Sequence, residues 1–466
     1  LKLEVRAMTV SAAADLLAAL REIVGEAYVL EDPDVKATYE RDVTGRFTGI
    51  AAMVVRPADT AEVSRVLAAC SRAHAAVVLQ GGNTGLSGGA VPFDGEVVLS
   101  LQRLQGLGPI DTLTGQVSVG AGVTLEALQQ HARRAGLRFL VDHGARSAAT
   151  IGGMVATNAG GPLALRHGTM RGQVTGLEVV LGDGRVVSRM GGLLKDNAGY
   201  DFTPTIVGSE GTLGAVTAAR VRLGREPRCR LTMLVGLASM TDAVELVSAL
   251  RGGLDTLEAA DFFTDAGMRM VCAHRRMAPP FAERHDTYVV LELSDDVDPT
   301  DALYEAFAPV EELARDVAVA TDTARREALW RYRESHNEVI NAGGVPLKLD
   351  VSVAPLEVPR FVASLQRLVG TTWPDARLIL YGHLGDGNVH VNLLDVPADH
   401  ERVEEAVLAL VGEHGGSISA EHGIGRAKVA WLHHTRSDLE IELMRSVKHV
   451  FDPEGILGVG RVFPAA

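Results

Sequence analysis

Lysine is scarce in this chain. Six of the 45 basic residues are lysine (Lys2, Lys36, Lys195, Lys348, Lys428 and Lys448) and the rest are arginine. Any one lysine is therefore an unusual choice. Positive charge is short overall, since 59 acids against 45 bases leave a formal charge of −14. That argues against a nucleic-acid groove or other polyanion surface. It leaves room for a small anion held by a few local cations. Cys70, Cys229 and Cys272 are far apart and form no CxxC. They read as core residues of a reducing compartment, not as a disulfide framework. Apolar runs such as Ile50–Val55 stop far short of the ~18 residues of a membrane span. No charged-then-apolar targeting segment opens the sequence, so a cytoplasmic protein without a membrane span is expected.

Several catalytic signatures are missing as well. No GxGxxG occurs, which removes support for a Rossmann NAD site. No lysine follows the glycine-rich loop near residue 85, so phosphoryl transfer is not indicated. HExxH is absent and GxSxG occurs only as Gly85–Gly89 within the glycine-rich loop, so a metal hydrolase with a structural nucleotide has no independent motif behind it.

At 466 residues the chain predicts two or three domains. Asp59-Thr60-Ala61-Glu62 has capping-box spacing and opens an amphipathic helix to about Ala75. Strands are expected at Val77–Leu79, Val97–Leu101 and Gln116–Val119, with a helix from Thr124 to about Ala135. Asp183-Gly184 between Leu177–Leu181 and Val186-Val187 signals a hairpin. The pattern changes near Gly224–Pro227. Beyond it, helices (Met240–Leu250, Asp322–Asn341, Leu356–Leu368, Glu401–Glu413) alternate with strands (Leu231–Val235, Tyr288–Leu293, Leu347–Val353, Leu378–Tyr381, Val389–Leu393). That predicts an α+β layer with helices on one face of a mostly antiparallel sheet. Lys428–Val450 reads as one helical tail.

Two short stretches carry chemistry. Gly382–Asn392 contains His383, His390 and Asn392, and Ser419–Gly423 contains Glu421 and His422. A Gly-Asp-Gly turn between two strand-like segments brings His383 and His390 close across a hairpin. His390 and Asn392 are two apart and share a face. Two imidazoles and the Glu421 carboxylate can hold one divalent metal with open positions, whether zinc, manganese, cobalt or iron. In the first half, Gly81 to Gly89 offers five glycines in nine residues directly after a strand. Its backbone N–H groups can wrap a pyrophosphate.

The run Gln80–Gly89 (QGGNTGLSGG) resembles the pyrophosphate loop of the vanillyl-alcohol-oxidase-like FAD proteins. Ile151–Gly161 (IGGMVATNAGG), Lys195–Asp201 (KDNAGYD) and Val207–Gly214 (VGSEGTLG) match in the same order. With the histidine site, the resemblance is to the FAD-dependent D-2-hydroxyacid dehydrogenases and extends from about Tyr39 to Phe463. It implies a PCMH-type FAD-binding domain over 1–224, a substrate and metal domain over 225–422, and a tail, 423–466, returning to the FAD domain. It implies that Gly81, Gly82, Asn83, Thr84, Gly85, Leu86 and Gly88 cradle the pyrophosphate. Gly144, Ala145, Ser147, Thr150, Ile151, Gly152, Gly153, Ala156, Asn158, Gly160 and Gly161 would line the ribityl chain and ring. Glu210, Gly211 and Gly214 would approach the adenosine half. No His or Cys lies within the glycine loop, so a non-covalent FAD is expected. His143 and His167 are the nearest alternatives for attachment, and a satisfied structural histidine is the preferred reading of both.

The resemblance also implies metal ligation by His383, His390 and Glu421, with zinc or manganese as the metal, and general-base catalysis by His422. Arg333 and Lys348 would bind substrate carboxylates. Asn337 departs from the family pattern, which has threonine there. Arg333 and Asn337 are i, i+4 and share a helix face. Asn392 would hydrogen-bond substrate or a ligand. The implied reaction is oxidation of a D-2-hydroxyacid, first D-2-hydroxyglutarate, with D-lactate, D-malate or D-mandelate as alternatives. An oxidase using oxygen, and a non-catalytic flavoprotein subunit of a glycolate-oxidase-like complex, are rival readings. The expected electron acceptor is an electron-transfer flavoprotein, a cytochrome or a quinone, and a homodimer is an expectation.

Overall fold

The computed structural model describes residues 10–397 and 400–464. The chain forms two compact units. The first comprises Leu1–Gly160, Gly168–Glu226 and Glu421–Ala466, and the second comprises Gly161–His167 and Pro227–Ala420. The crossing points fall two residues away from the expected ones, and Glu421 and His422 join the first unit rather than the second. Local bonding explains this. Ser87 Oγ donates to the carbonyls of His422 and Gly423, both at 3.0 Å. Gly161–His167 goes with the second unit for a similar reason, since Arg166 donates to the Ser294 carbonyl at 2.8 Å.

In the first unit, Met53–Val55, Val97–Ser100 and Val77–Gln80 run parallel in that order, and Val29–Leu30 adds an antiparallel edge. The helix Thr60–Arg72 is capped by Asp59, whose carboxylate accepts from the Glu62 amide at 2.8 Å. Val63, Val66, Leu67 and Cys70 form its buried stripe, the i, i+3, i+4, i+7 pattern of a half-buried helix. Burial pushes the Cys70 thiol up to about 12, and all three cysteines are free. A second sheet centres on Ala215–Arg225, antiparallel to both Gln116–Gly120 and Val174–Val180. The expected hairpin joins Val174–Val180 to Val186–Arg189, turning through Gly184 at φ 89°.

The second unit is built on seven antiparallel strands. Their order is Ala314–Ala320, Cys229–Leu237, Thr287–Asp295, Leu257–Thr264, Arg377–His383, Asn388–Leu394 and Leu347–Ser352. Phe263, Tyr288, Ile379, Tyr381 and Leu394 of this sheet pack with Met268 and Ile340 from the helices Asp265–Arg275 and His336–Ala342. Leu257–Thr264 and Ala314–Ala320 were not among the expected strands. The helix expected over Asp322–Asn341 is two helices, Thr323–Glu334 and His336–Ala342, meeting at Ser335. The tail is also broken, into a 3-10 turn at Val429–His434 and a helix at Asp438–Phe451 opened by a Ser437–Glu440 capping box. Among the described residues, no helix is long and apolar enough to cross a membrane.

Candidate active site

Sheet register builds the first half of the site. Arg377–His383 and Asn388–Leu394 pair so that Tyr381 faces His390 and His383 faces Asn388. Alternation then puts Ile379, Tyr381 and His383 on one face with Asn388, His390, Asn392 and Leu394. That face is apolar where helices cover it and becomes polar toward the hairpin turn. The turn demands glycine at Gly387, where φ is +80° and a Cβ would stand 1.9 Å from the Val353 carbonyl oxygen.

Each histidine is backed by a buried carboxylate from the neighbouring strand. Asp261 lies opposite His383 in register, and Asp261 Oδ1 stands 2.8 Å from His383 Nδ1. Asp350 lies opposite His390, with 3.3 Å between Asp350 Oδ1 and His390 Nδ1. An ionised carboxylate only accepts, so Nδ1 of each ring carries the proton and Nε2 the lone pair. Burial holds His390 below the usual histidine range, against the raising effect of Asp350. A neutral imidazole anchored through its other nitrogen is what a metal ligand requires. The donor set therefore fits a divalent metal of the zinc or manganese type.

Burial pushes the Asp261 carboxyl up, but His383 and Arg333 together outweigh it and hold it below the usual range. Arg333 is not on a solvated helix face. It is buried, its Nε is 2.9 Å from Asp261 Oδ2, and its guanidinium lies 4.5 Å from the Tyr381 ring centre. The Lys348 ammonium donates to Asn337 Oδ1 at 2.5 Å. Burial lowers the pKa of Lys348, and Lys348 pairs with Asn392 in register. Asn392 is buried and its amide donates to the His390 carbonyl at 3.2 Å. The second unit thus brings together His383, His390, Asn392, Arg333, Asn337 and Lys348. Glu421 directly follows Ala420, whose amide donates to the Asp350 carbonyl at 3.3 Å.

The first unit holds the glycine loop and the returning segment. Gly81 and Gly82 press against the segment before the helix Ile151–Thr157. A Cβ on Gly82 would stand 1.9 Å from the Ala148 carbonyl oxygen, and one on Gly81 would stand 2.3 Å from Thr150 Oγ1. Gly152 is as constrained, since a Cβ there would meet that of Ala121 at 2.6 Å. Asn83 and Gly88 take left-handed backbone, φ 52° and 68°, and Thr84 and Leu86 occupy the same loop. Gly85 and Gly144, the latter beside Ala145 and Ser147, would meet nothing within 4 Å. This is a backbone cradle with room at its surface, and it fits a dinucleotide pyrophosphate.

Some expected cofactor residues are committed elsewhere by their side chains. Asn158, two residues after Ala156, accepts from Thr169 Oγ1 at 2.9 Å and the Arg171 amide at 2.8 Å. The Glu210 carboxylate accepts from the Ile424 and Gly425 amides, each at 2.7 Å. Glu210 lies beside Gly211 and near Gly214 in the chain. Gly160 closes a segment of the first unit and Gly161 opens one of the second. His143 Nδ1 accepts from the Ala145 amide at 3.2 Å, and burial lowers its pKa. His167 Nε2 lies 3.1 Å from a buried Glu258 carboxylate.

Known families match both parts of the chain. A family model described as "FAD binding domain" matches residues 51–189, and "FAD linked oxidases, C-terminal domain" matches 226–462. A D-2-hydroxyglutarate dehydrogenase of Xanthomonas citri pv. viticola is 40% identical over 436 residues, 91% of this chain and 92% of that protein. The chain belongs to the FAD-dependent D-2-hydroxyacid dehydrogenases. A mitochondrial D-2-hydroxyglutarate dehydrogenase of Danio rerio is 34% identical over 93% of this chain and 83% of its own length. The structure of p-cresol methylhydroxylase with substrate bound superimposes with a TM-score of 0.79 at 17% identity, covering 98% of both chains. At that identity the match shows the fold, of the vanillyl-alcohol-oxidase type. As a hydroxyacid dehydrogenase the protein is an FAD-dependent enzyme. Sequence reasoning missed Asp261 and Asp350, the residues that orient the two histidines. Each is a buried carboxylate flanked by apolar neighbours, which is itself a signal because such a group needs a buried partner.

Proposed function

We propose that the enzyme oxidises D-2-hydroxyglutarate to the 2-oxoacid, with His383, His390 and Glu421 holding one divalent metal and His422 acting as the base. The observation that carries the reading is the pair of imidazoles, each fixed through Nδ1 by its own buried carboxylate. Glu421 fits as third ligand because it is the next residue after Ala420, which is bonded to the Asp350 that backs His390. When bound, the metal supplies Lewis acidity that favours ionisation of the substrate hydroxyl, and FAD supplies the two-electron acceptor. The His422 imidazole takes the hydroxyl proton as general base. Its carbonyl is pinned to Ser87 of the glycine loop, which limits main-chain movement at the base. Arg333 and Lys348 pair with the carboxylates, and Asn392 orients the substrate or a ligand. The FAD is read as non-covalent. The acceptor is read as an electron-transfer flavoprotein, cytochrome or quinone.

A second reading, a monocarboxylic D-acid such as lactate or mandelate, has one observation in its favour. Arg333 already faces the Asp261 carboxylate and one Lys348 N–H is taken by Asn337, so Arg333 has less charge to offer a second carboxylate. An anaerobic screen of D- and L-2-hydroxyacids against flavin absorbance separates the two. Fastest bleaching by D-2-hydroxyglutarate supports the first reading, fastest bleaching by a monocarboxylate the second, and preference for L-acids contradicts both.

A further inference from the structure

The two histidines are not supported alike. Asp350 backs His390 and also accepts from the Asn388 amide at 2.7 Å. Asp261 backs His383 with one oxygen, and its other oxygen faces the Arg333 guanidinium. One fully buried carboxylate therefore stands between a proposed metal ligand and a proposed substrate anchor. Tyr381 completes the frame, with its ring under Arg333 and 4.9 Å from that of His390.

We propose that Asp261 is a positioning residue that couples His383 to Arg333, so that the charge Arg333 draws from Asp261 sets how strongly His383 binds metal. The inference rests on the metal reading given above. A carboxylate accepting from Nδ1 raises the basicity of the ligating nitrogen. A guanidinium on the same carboxylate competes for its charge and weakens that effect. Substrate drawing on Arg333 would release charge toward His383 and tighten the metal. Such coupling is reciprocal, so metal occupancy also strengthens substrate binding.

The test is zinc affinity of the FAD-loaded protein, measured by competition with a chromophoric chelator in a double-mutant cycle. Asp261→Asn should weaken zinc binding by about 10–100-fold. Arg333→Gln should do the opposite and tighten it severalfold, which general damage to the unit would not do. The Arg333→Gln effect should vanish in the Asp261→Asn background. An unchanged or weaker affinity in Arg333→Gln overturns the proposal. So does tightening of equal size in both backgrounds, which would be direct repulsion between Arg333 and the metal. Should Asp261→Asn not fold, the ring N–H proton of His383 decides by NMR in metal-free protein. Arg333→Gln should move it downfield and leave that of His390 in place, and no movement overturns the coupling. Failure of the underlying metal reading looks different. In that case the wild type takes up no stoichiometric zinc, or His383→Ala binds it as tightly as wild type does.

Discussion

Asp350 and His390 face one another across paired strands, with Oδ1 and Nδ1 3.3 Å apart. The pairing fixes which ring nitrogen is presented for ligation, because the buried carboxylate accepts from the other. Asp350→Asn should therefore lower zinc or manganese affinity by about 10–100-fold while FAD content stays at one per chain. Metal titration of the stripped holoprotein checks this, and unchanged affinity would remove Asp350 as a support for the ligand.

His422 is assigned the proton and Glu421 the metal, although they are adjacent. His422→Asn should retain full metal content and slow anaerobic flavin reduction by about 10²–10⁴-fold. Stopped-flow absorbance with metal analysis of the same sample measures both. Wild-type reduction rates would exclude His422 as the base.

Lys348 decides between substrates. If it meets the second carboxylate of a dicarboxylic acid, Lys348→Met should lower kcat/KM for D-2-hydroxyglutarate by about 10–100-fold, the scale of a charge-assisted hydrogen bond. The same variant should change D-lactate oxidation little. Equal losses on both acids would place Lys348 at the carboxylate beside the reacting carbon.

His336 gives the second unit an acid-labile element. It is fully buried, its rings' neighbours are Phe263 and Tyr381, and Nε2 finds no hydrogen-bond partner among the described residues. Burial first, then Arg333, pushes its pKa down to about 3. The unfolded chain binds the proton at an ordinary 6.5 or so. Its contribution to stability is therefore complete above about pH 6.5 and is lost as pH falls toward 3. Urea unfolding at pH 7 and pH 5 should show a loss smaller by about 2 kcal/mol in His336→Phe than in wild type. An identical loss in both would mean that His336 is not the group that titrates.

The parts of the site written locally were legible in the sequence. The Gly-Asp-Gly turn between two apolar alternations specifies a hairpin, and a hairpin fixes His383 beside His390. The glycine loop directly after Val77–Gln80 was legible for the same reason. Asp261 was not, because its contact with His383 spans 122 residues and depends on strand order, which local pattern does not encode. Its strand, Leu257–Thr264, buries both Glu258 and Asp261 among apolar residues and gave no alternation to read. Arg333 was read as an anchor for a substrate carboxylate, and its contact with Asp261 follows only once that strand is placed. The breaks at Ser335 and at Thr435–Ser437 were hidden by helical composition on both sides.

Oxidation by this enzyme should need the metal site as well as FAD. Holoprotein stripped by chelator, with FAD retained and oxygen excluded, should show no loss of flavin absorbance when the D-2-hydroxyacid is added. Stoichiometric zinc or manganese should restore bleaching. Full-rate bleaching in the metal-free protein would remove the metal from the reaction.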